Sequence, residues 1–327
     1  MEIIRGHYNL RPRHHGSVVT IGNFDGVHLG HQAVLGQLSE KAAELGLPSV
    51  VVTFEPHPQE YFGDAQAPAR LTRFREKILT LRRYAVDRVL NLPFNEKLAS
   101  MPAQEFIDRV LVRGLGVRYL IVGDDFRFGH RRRGDIGMLR AAGEQHGFQV
   151  INMHTFEIEG ARVSSTRIRE ALQRGDLDTA GQLLGRSYRM AGKVVHGDAR
   201  GRAIGFPTAN IYVHGPHRDR QQSHLPLSGV YAVDVFGLET EPMRGVANIG
   251  VRPTVDGRSS LLEVHILDYD ADIYGRHIQA EFLKKLRDER RFENIEALTR
   301  QIQRDVAHAR AFFDKRLAGD DIVSLPL

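Results

Sequence analysis

A change of texture along the chain limits its architecture more than any single motif does. Up to about residue 155, short β-branched runs alternate with amphipathic helical spacing: "SVVTIG" (17–22), "AVLGQLSEKAAELG" (33–46), "SVVVTF" (49–54), "FREKILTLRRYAV" (74–86), "RVLNLP" (88–93), "AQEFIDRVLVRGL" (103–115), "RYLIVGDDF" (118–126), "IGMLRAAGEQHG" (136–147) and "FQVINM" (148–153). Apolar strands alternating with helices predict a parallel sheet covered on both faces, because each crossover helix must lay its apolar stripe on the sheet. Next comes "SSTRIREALQRGDLDTAGQLLG" (164–185), read as short helices joined at Gly175-Asp176. After Gly185 the runs "YRMAGKVVHG", "GVYAVDVFGL", "MRGVANIGV", "LLEVHIL" and "HIQAEFLKKL" are split by Gly, Pro and Asp turns. That pattern predicts a mainly antiparallel barrel or sandwich, closed by one long helix from about Asn294 to Leu317.

Composition agrees with two cores. A chain of 327 residues exceeds one typical domain, and 42% apolar with 26% charged residues is an ordinary globular balance. The chain has no cysteine, which excludes disulfides, thiolate metal sites and Cys nucleophiles. No apolar run reaches the length of a membrane span, and "MEIIRGHYNL" lacks the build of a signal peptide, so the cytoplasm is the expected home. The net charge of +5 comes from 45 basic and 40 acidic residues, with the basic excess spread along the chain. An RNA-binding module would need clustered basic residues interleaved with aromatics, and the sequence has no such stripe. Its densest basic run, "HRRRGD" (130–135), reads as a solvated loop. A modest positive field suits small polyanions such as nucleoside triphosphates equally well.

The stretch "TIGNFDGVHLGHQAVL" (20–35) marks where a strand becomes a helix. Gly22, Gly26, Gly30 and Gly36 let the backbone approach a phosphate, and the helix N-terminus offers amides and a positive dipole end. His28 and His31 add donors for negative charge developing at an attacked phosphoryl centre. Ligands of parallel sheets bind at the carboxyl ends of strands, where "FEPHP" and "GDDFRFG" also fall. Pro56 and Pro58 around His57 make a rigid turn, or a stiff wall suited to a flat ring.

These motifs carry a resemblance. "HLGH" (28–31) resembles the His-x-Gly-His signature of nucleotidyltransferases and class I aminoacyl-tRNA synthetases, and "SSTRIRE" (164–170) looks like their second element. The longer pattern Gly-x-Phe-Asp-Gly-x-His-x-Gly-His, followed by "TFEPHP" and "GDDFRFG", resembles the FMN adenylyltransferase half of the bacterial bifunctional riboflavin kinase/FAD synthetase family. The resemblance implies a Rossmann-like nucleotidyltransferase domain over residues 1–185 and a riboflavin kinase domain over residues 186–327. In the first, it implies that Gly22, Phe24, His28, His31, Ser165, Thr166 and Arg169 hold ATP, with His28 and His31 catalytic. Asp125 and Arg162 would lie near the sugar and adenine. Pro56, His57, Pro58, Phe62 and Phe128 would border the flavin, core packing being the other reading of the two phenylalanines.

The second half has its own chemistry. "GKVVHGDARGRAIGFPTANI" sets Gly192, Gly197, Gly201 and Gly205 ahead of Thr208 and Asn210, a spacing that suits a flap over ATP phosphates rather than a helix. It is not a Walker loop, since the Gly-Lys-Ser/Thr element is missing. Thr208 and Asn210 alternate on an extended segment, so their oxygens share one side as hard ligands for Mg2+. Glu263 in "SSLLEVHIL" (259–267) is a carboxylate in an apolar strand, hence an edge position or a functional one. "GxxxGFPTANI" looks like the riboflavin kinase signature, and the resemblance extends over "NIGVRPTV" (248–255) and "LRDERRF" (286–292). It implies that Glu263 is the general base and that Arg287 lies near the flavin.

The sequence therefore predicts a bifunctional transferase: MgATP phosphorylates riboflavin to FMN, and a second ATP adenylylates FMN to FAD and pyrophosphate. A single-activity adenylyltransferase with a flavin-binding barrel is the alternative, which Glu263 with Thr208 and Asn210 argues against. Its expected partners are small molecules, with no nucleic acid or membrane, as a monomer or weak homo-oligomer. "HGPHRDRQQSHLPL" (214–227) is expected to be an exposed loop and the tail "GDDIVSLPL" to fray.

Overall fold

The computed structural model describes residues 1–63, 67–153, 156–197, 201, 204–212, 225–254 and 257–318, with the side chains of 212, 251–254 and 257–261 left out. Most of the loop expected at 214–227, and the tail from 319, lie outside the described residues. By its internal contacts the chain divides into two compact units, Met1–Pro68 with Thr72–Ser165, and Ala69–Leu71 with Thr166–Leu327.

The first unit is built on a parallel sheet of β1 (Glu2–Arg5), β2 (Ser17–Ile21), β3 (Ser49–Glu55), β4 (Arg88–Pro93), β5 (Val117–Gly123) and β6 (Gln149–Met153), in the order β1-β4-β3-β2-β5-β6. All five residues of β2 are buried, as expected of a central strand covered on both faces. Side chains alternate between two cores. Val18, Val51, Val89 and Ile121 pack against Leu35, Leu38 and Ala42 of α1 (Leu29–Leu45) and Ile78 and Leu81 of α3 (Phe74–Arg83). Val19, Ile21, Val50, Val52, Leu120 and Val122 face the other way, onto the π-helical segment Ile107–Leu115 that continues α5 (Ala103–Phe106) and onto Leu139 of α6 (Ile136–His146). Shorter helices α2 (Pro58–Gly63) and α4 (Glu96–Ala99) follow β3 and β4, and an antiparallel pair, β7 (Glu157–Ile158) and β8 (Ala161–Arg162), follows β6.

The differences from the sequence expectation are local. Helix α1 begins at Leu29 rather than 33, because His28 caps it. Helix α3 ends at Arg83 rather than 86. There Ala85 turns through a positive φ of 53°, and Asp87 accepts the Ser49 amide and hydroxyl, each at 2.9 Å. The edge strand β1 was not expected, since four residues carry too little periodicity to read.

In the second unit, β9 (Arg189–Val195), β10 (Ala209–Tyr212), β11 (Gly229–Phe236), β12 (Met243–Thr254), β13 (Gly257–Ile266) and β14 (His277–Arg287) form a closed antiparallel barrel in the order β10-β13-β12-β11-β14-β9. Closure removes the sheet edges. Tyr231, Val233, Ala247, Ile249, Leu262 and Val264 are fully buried, while the alternating positions Val230, Ala232 and Val246 pack against Ala309 and Phe313 of the C-terminal helix α9 (Ile295–Ala318). Helices α7 (Ser165–Arg174) and α8 (Leu177–Leu184) precede the barrel, and α8 lies against β14.

Candidate active sites

The loop from Gly22 to His28 joins β2 to α1 and is held at nearly every residue. Gly22 N donates to Val52 O at 3.0 Å, and Thr53 Oγ1 donates to Asn23 O at 3.3 Å. Gln32 Nε2 donates to Val27 O at 2.9 Å, and Ser165 Oγ donates to Asp25 O at 3.0 Å. The buried Asp25 carboxylate accepts both the amide (2.9 Å) and the hydroxyl (3.3 Å) of Thr72, whose hydroxyl in turn accepts Gly26 N–H at 2.9 Å. This restraint keeps Phe24 and Val27 at φ 50° and 42°, a region that side chains rarely adopt and that costs ~1–3 kcal/mol each. Thr72 is a residue that sequence reading missed, because nothing local marks a threonine 47 positions from its partner.

His28 is the N-cap of α1: its Nδ1 accepts His31 N–H at 3.3 Å, which leaves the ring N–H on Nε2. The two imidazoles stack, with centroids 3.7 Å apart and planes 17° apart. Gly30 permits this, since a Cβ there would meet the His28 ring at 3.3 Å. The His31 ring is half-buried, yet its Nδ1 is sealed from solvent and has no hydrogen-bond partner among the described residues. Burial, then the electrostatic effects of the neighbouring His28 and Lys77, hold it well below the ordinary histidine value, so the ring is neutral. Lys77, buried in α3, was also unmarked in the sequence. Phe24 lies in the core with its ring 4.9 Å from His31, a support beneath the imidazole.

Ser165 begins α7, so both sequence signatures meet at Asp25, while Thr166 and Arg169 continue the helix and belong to the second unit. Arg169 Nε donates there to Ala69 O at 2.5 Å. Asp125 and Arg162, 37 residues apart, come together as an exposed ion pair at 2.9 Å. His57 stands at the turn from β3 into α2: its Nδ1 accepts Gln59 N–H and its own amide donates to Glu60. Phe62 is 69% exposed and forms an edge-on aromatic shelf with Tyr61 and Phe94. Tyr61 and Phe94 are members that sequence reading missed. Phe128, by contrast, is buried between Phe106 and Phe126.

On the barrel, Glu263 of β13 pairs in register with Asn210 of β10 on one side and Asn248 of β12 on the other. Asn248 follows Val246 by two residues on the face turned toward α9, so the row lies on the outside of the barrel. The strand position of Glu263 is therefore central rather than at an edge, and its neighbours are amides. Asn248 was not singled out from sequence. His265, two residues on, anchors Pro207 O through Nδ1 at 2.8 Å and so fixes the start of the Thr208–Asn210 segment. A Cβ on Gly197 would overlap the Asn210 amide, and one on Gly201 would sit 3.3 Å from Thr208 Oγ1. Gly192 lies within β9, and Gly205 has a positive φ of 83°. Arg287, at the end of β14, is bound through Nε and NH2 to the buried carboxylate of Asp305 on α9 at 2.8–3.0 Å. Among the described residues no group of three or more His, Asp or Glu could hold a metal, so a cation here would draw on neutral oxygens and on phosphate.

Comparison with known proteins follows the same division. A family described as FAD synthetase matches residues 10–167, and one described as riboflavin kinase matches residues 184–313. A bifunctional riboflavin kinase/FMN adenylyltransferase of Pseudomonas fluorescens is 51% identical over 95% of this chain and 97% of its own. The protein so described from Escherichia coli is 50% identical over 96% and 98%. A solved structure described as a macrolide-efflux protein from Streptococcus pneumoniae is 32% identical with a TM-score of 0.75, covering 95% of this chain and 99% of that one. Among the described residues no helix is long and apolar enough to cross a membrane.

Proposed function

The chain belongs to the bifunctional riboflavin kinase/FMN adenylyltransferase family, and from that premise we propose how its residues divide the two reactions. The protein phosphorylates riboflavin to FMN and adenylylates FMN to FAD, with ATP as substrate in both steps. We place the domain boundary after Gly185, the left-handed C-cap of α8, with adenylyl transfer in residues 1–185 and kinase chemistry in residues 186–327. The observation that carries the division is that the stacked histidines and the Asn210–Glu263–Asn248 row lie in separate compact units.

In adenylyl transfer, an FMN phosphate oxygen bonds to the α-phosphorus of ATP while the bond to the bridging oxygen breaks and pyrophosphate departs. Phosphate is already a competent nucleophile, so positioning and charge stabilisation supply the rate. The first-turn amides of α1 and His28 Nε2–H meet the triphosphate, and the incoming anion raises the proton affinity of His31, whose ring is neutral in the free protein. Gly22 and Ser165 complete the ATP contacts of the first unit, and Asp125 with Arg162 orient the sugar and base. Pro56, His57, Pro58 and Phe62 border the flavin, with Tyr61 and Phe94 widening the shelf. The burial of Phe128 favours a supporting role for it behind that site.

In the kinase, Glu263 takes the proton of the ribityl 5′-hydroxyl as the hydroxyl oxygen bonds to the γ-phosphorus of ATP, the bond to the β,γ-bridging oxygen breaks and ADP departs. Thr208 Oγ1 and Asn210 Oδ1 are neutral ligands of the kind a magnesium ion accepts beside phosphate, and the space left by Gly197 around Asn210 fits that use. Such an ion, when bound, supplies charge neutralisation at the transferring phosphoryl group. Gly192, Gly201 and Gly205 shape the flap over ATP. Arg287, its guanidinium held by Asp305, fixes the strand end beside the flavin. ATP as substrate at both sites favours the cytoplasm, as a monomer or weak homo-oligomer.

Paired variants test the division. His28→Ala or His31→Ala should lower FAD formation from FMN by roughly 10²-fold or more, with FMN formation from riboflavin nearly unchanged. Glu263→Gln should lower kinase kcat by roughly 10²- to 10⁴-fold and spare FAD formation from added FMN. Equal loss of both activities in either variant would refute the assignment.

A further inference from the structure

The basic run at residues 130–133 plays no part in the site as described so far, and its geometry is unusual. It tips the loop between β5 and α6, beside β2 and its phosphate-binding turn at the carboxyl edge of the sheet. The base of the loop is fastened. Phe128 and Gly134 exchange backbone hydrogen bonds at 3.1 and 2.8 Å, with the Phe128 ring buried beneath. His130 donates its amide to Met101 O at 2.8 Å, and its Nδ1 lies 3.2 Å from Ala99 O. These are residues that follow Phe94, a member of the exposed aromatic shelf, by way of α4.

The tip is held in a conformation that its residues disfavour. Arg131 and Arg132 stand at φ 53° and 57°, a left-handed pair that glycine would adopt without strain. Arg131, Arg132 and Arg133 are all exposed, and among the described residues none of their guanidiniums has an acidic partner. Nearby Arg127 differs, since it pairs with Asp135 at 3.2 Å. Three adjacent like charges on a strained turn stabilise nothing in the fold itself. They do place three adjacent positive charges on a loop after β5, at the carboxyl end of the sheet, fastened through His130 to the segment that follows Phe94 of the shelf.

We propose that Arg131, Arg132 and Arg133 form an electrostatic collector that draws the phosphate dianion of FMN to the adenylyltransferase site. The inference rests on the assignment of the aromatic shelf to the flavin. FMN carries this charge and riboflavin does not, so the collector serves the second reaction alone. Its action is long-range: it raises the rate of encounter without touching the reacting atoms, and it weakens as salt screens the field.

The test uses the full-length enzyme, with FMN varied at saturating ATP, at ionic strengths of about 0.02 M and about 0.3 M. The triple variant Arg131→Gly, Arg132→Gly, Arg133→Gln should lower kcat/KM for FMN by about tenfold at low salt, with kcat unchanged and the deficit shrinking to under about twofold at high salt. Its kcat/KM for ATP in adenylyl transfer, an anion entering the same site, should fall in the same salt-dependent way, its kinase activity on riboflavin should stay at the parent value, and its thermal midpoint should hold or rise, because glycine relieves the turn. The charge-keeping triple with lysine at the same positions should retain the parent kcat/KM. If the glycine variant melts early, Arg133→Gln alone, outside the left-handed pair, carries the test with an expected loss of about twofold. An unchanged kcat/KM for FMN at low salt, a deficit that persists at high salt, or equal loss in the lysine triple would each overturn the collector. Loss of both activities would instead indict the placement of the flavin site.

Discussion

Thr72→Val removes one oxygen from the clasp that holds the phosphate-binding turn, and its effect can be worked from the hydrogen bonds it breaks. Valine keeps the shape and the backbone amide, so the 2.9 Å bond from residue 72 N–H to Asp25 survives. Two bonds go: Gly26 N–H loses this acceptor at 2.9 Å, and Asp25 loses a long bond at 3.3 Å. In a buried setting the first costs ~1–3 kcal/mol and the second ~1 kcal/mol, giving roughly 2–4 kcal/mol. That is of the same order as the backbone strain at Phe24 and Val27, so the turn should relax away from the geometry that presents His28 and the first amides of α1. FAD formation from FMN should fall by about 10- to 10²-fold, chiefly in kcat. FMN formation from riboflavin should be unchanged, and Thr72→Ser should restore most of the loss. Separating the flavin products of each half-reaction, alongside a thermal melt, reads all of this. A valine variant within about threefold of the parent in FAD formation, with an unshifted melt, would refute the reasoning that the clasp positions the turn.

Other consequences follow from single features. A fragment of residues 186–327 should make FMN but no FAD, and fragment 166–327 should be more stable by roughly 3 kcal/mol, since α8 buries Leu183 and Leu184 and lies against β14; equal melting midpoints would contradict this. His31 is held below the ordinary 6.5, so its contribution to stability is present above that pH and is lost as pH falls from there through the folded value. The first unit should lose stability between about pH 6.5 and 5 by up to ~1 kcal/mol per unit, less in His31→Gln, as followed by melts across that range; the same slope in both proteins would show that the imidazole does not carry it. Gly197→Ala should push the Asn210 amide aside, lowering kinase activity by roughly tenfold and raising the magnesium needed for half-maximal rate, with FAD formation from FMN intact.

Much of the site was legible because its chemistry is packed into short strings. "HLGH" put both imidazoles at a helix start, and the structure shows why the spacing is three: residue 28 caps the amide of residue 31, and one turn stacks the rings. "PTAN" with Glu263 marked the barrel site, though only the strand register set Asn210 beside the carboxylate. Asn248 escaped notice because its meaning comes from a neighbouring strand, and Tyr61 and Phe94 because aromatics of a short helix and a loop have no periodic signature. For Phe128 the sequence left core and ligand equally open, and burial among other phenylalanines decides its environment.

The sequence by itself determined which layers this protein builds, since the period of its apolar residues dictates strand or helix locally and each must bury one face. It likewise determined where phosphate chemistry can occur, because a glycine-rich turn into a helix carries its donors within about ten residues. Closure of the barrel, the Asp25–Thr72 clasp, the neutral state of His31 and the fastening of the arginine tip were decided only in the tertiary structure. Each joins residues far apart in the chain, and each depends on burial, which raises the strength of a hydrogen bond and the penalty of a charge only after the surrounding elements have excluded water.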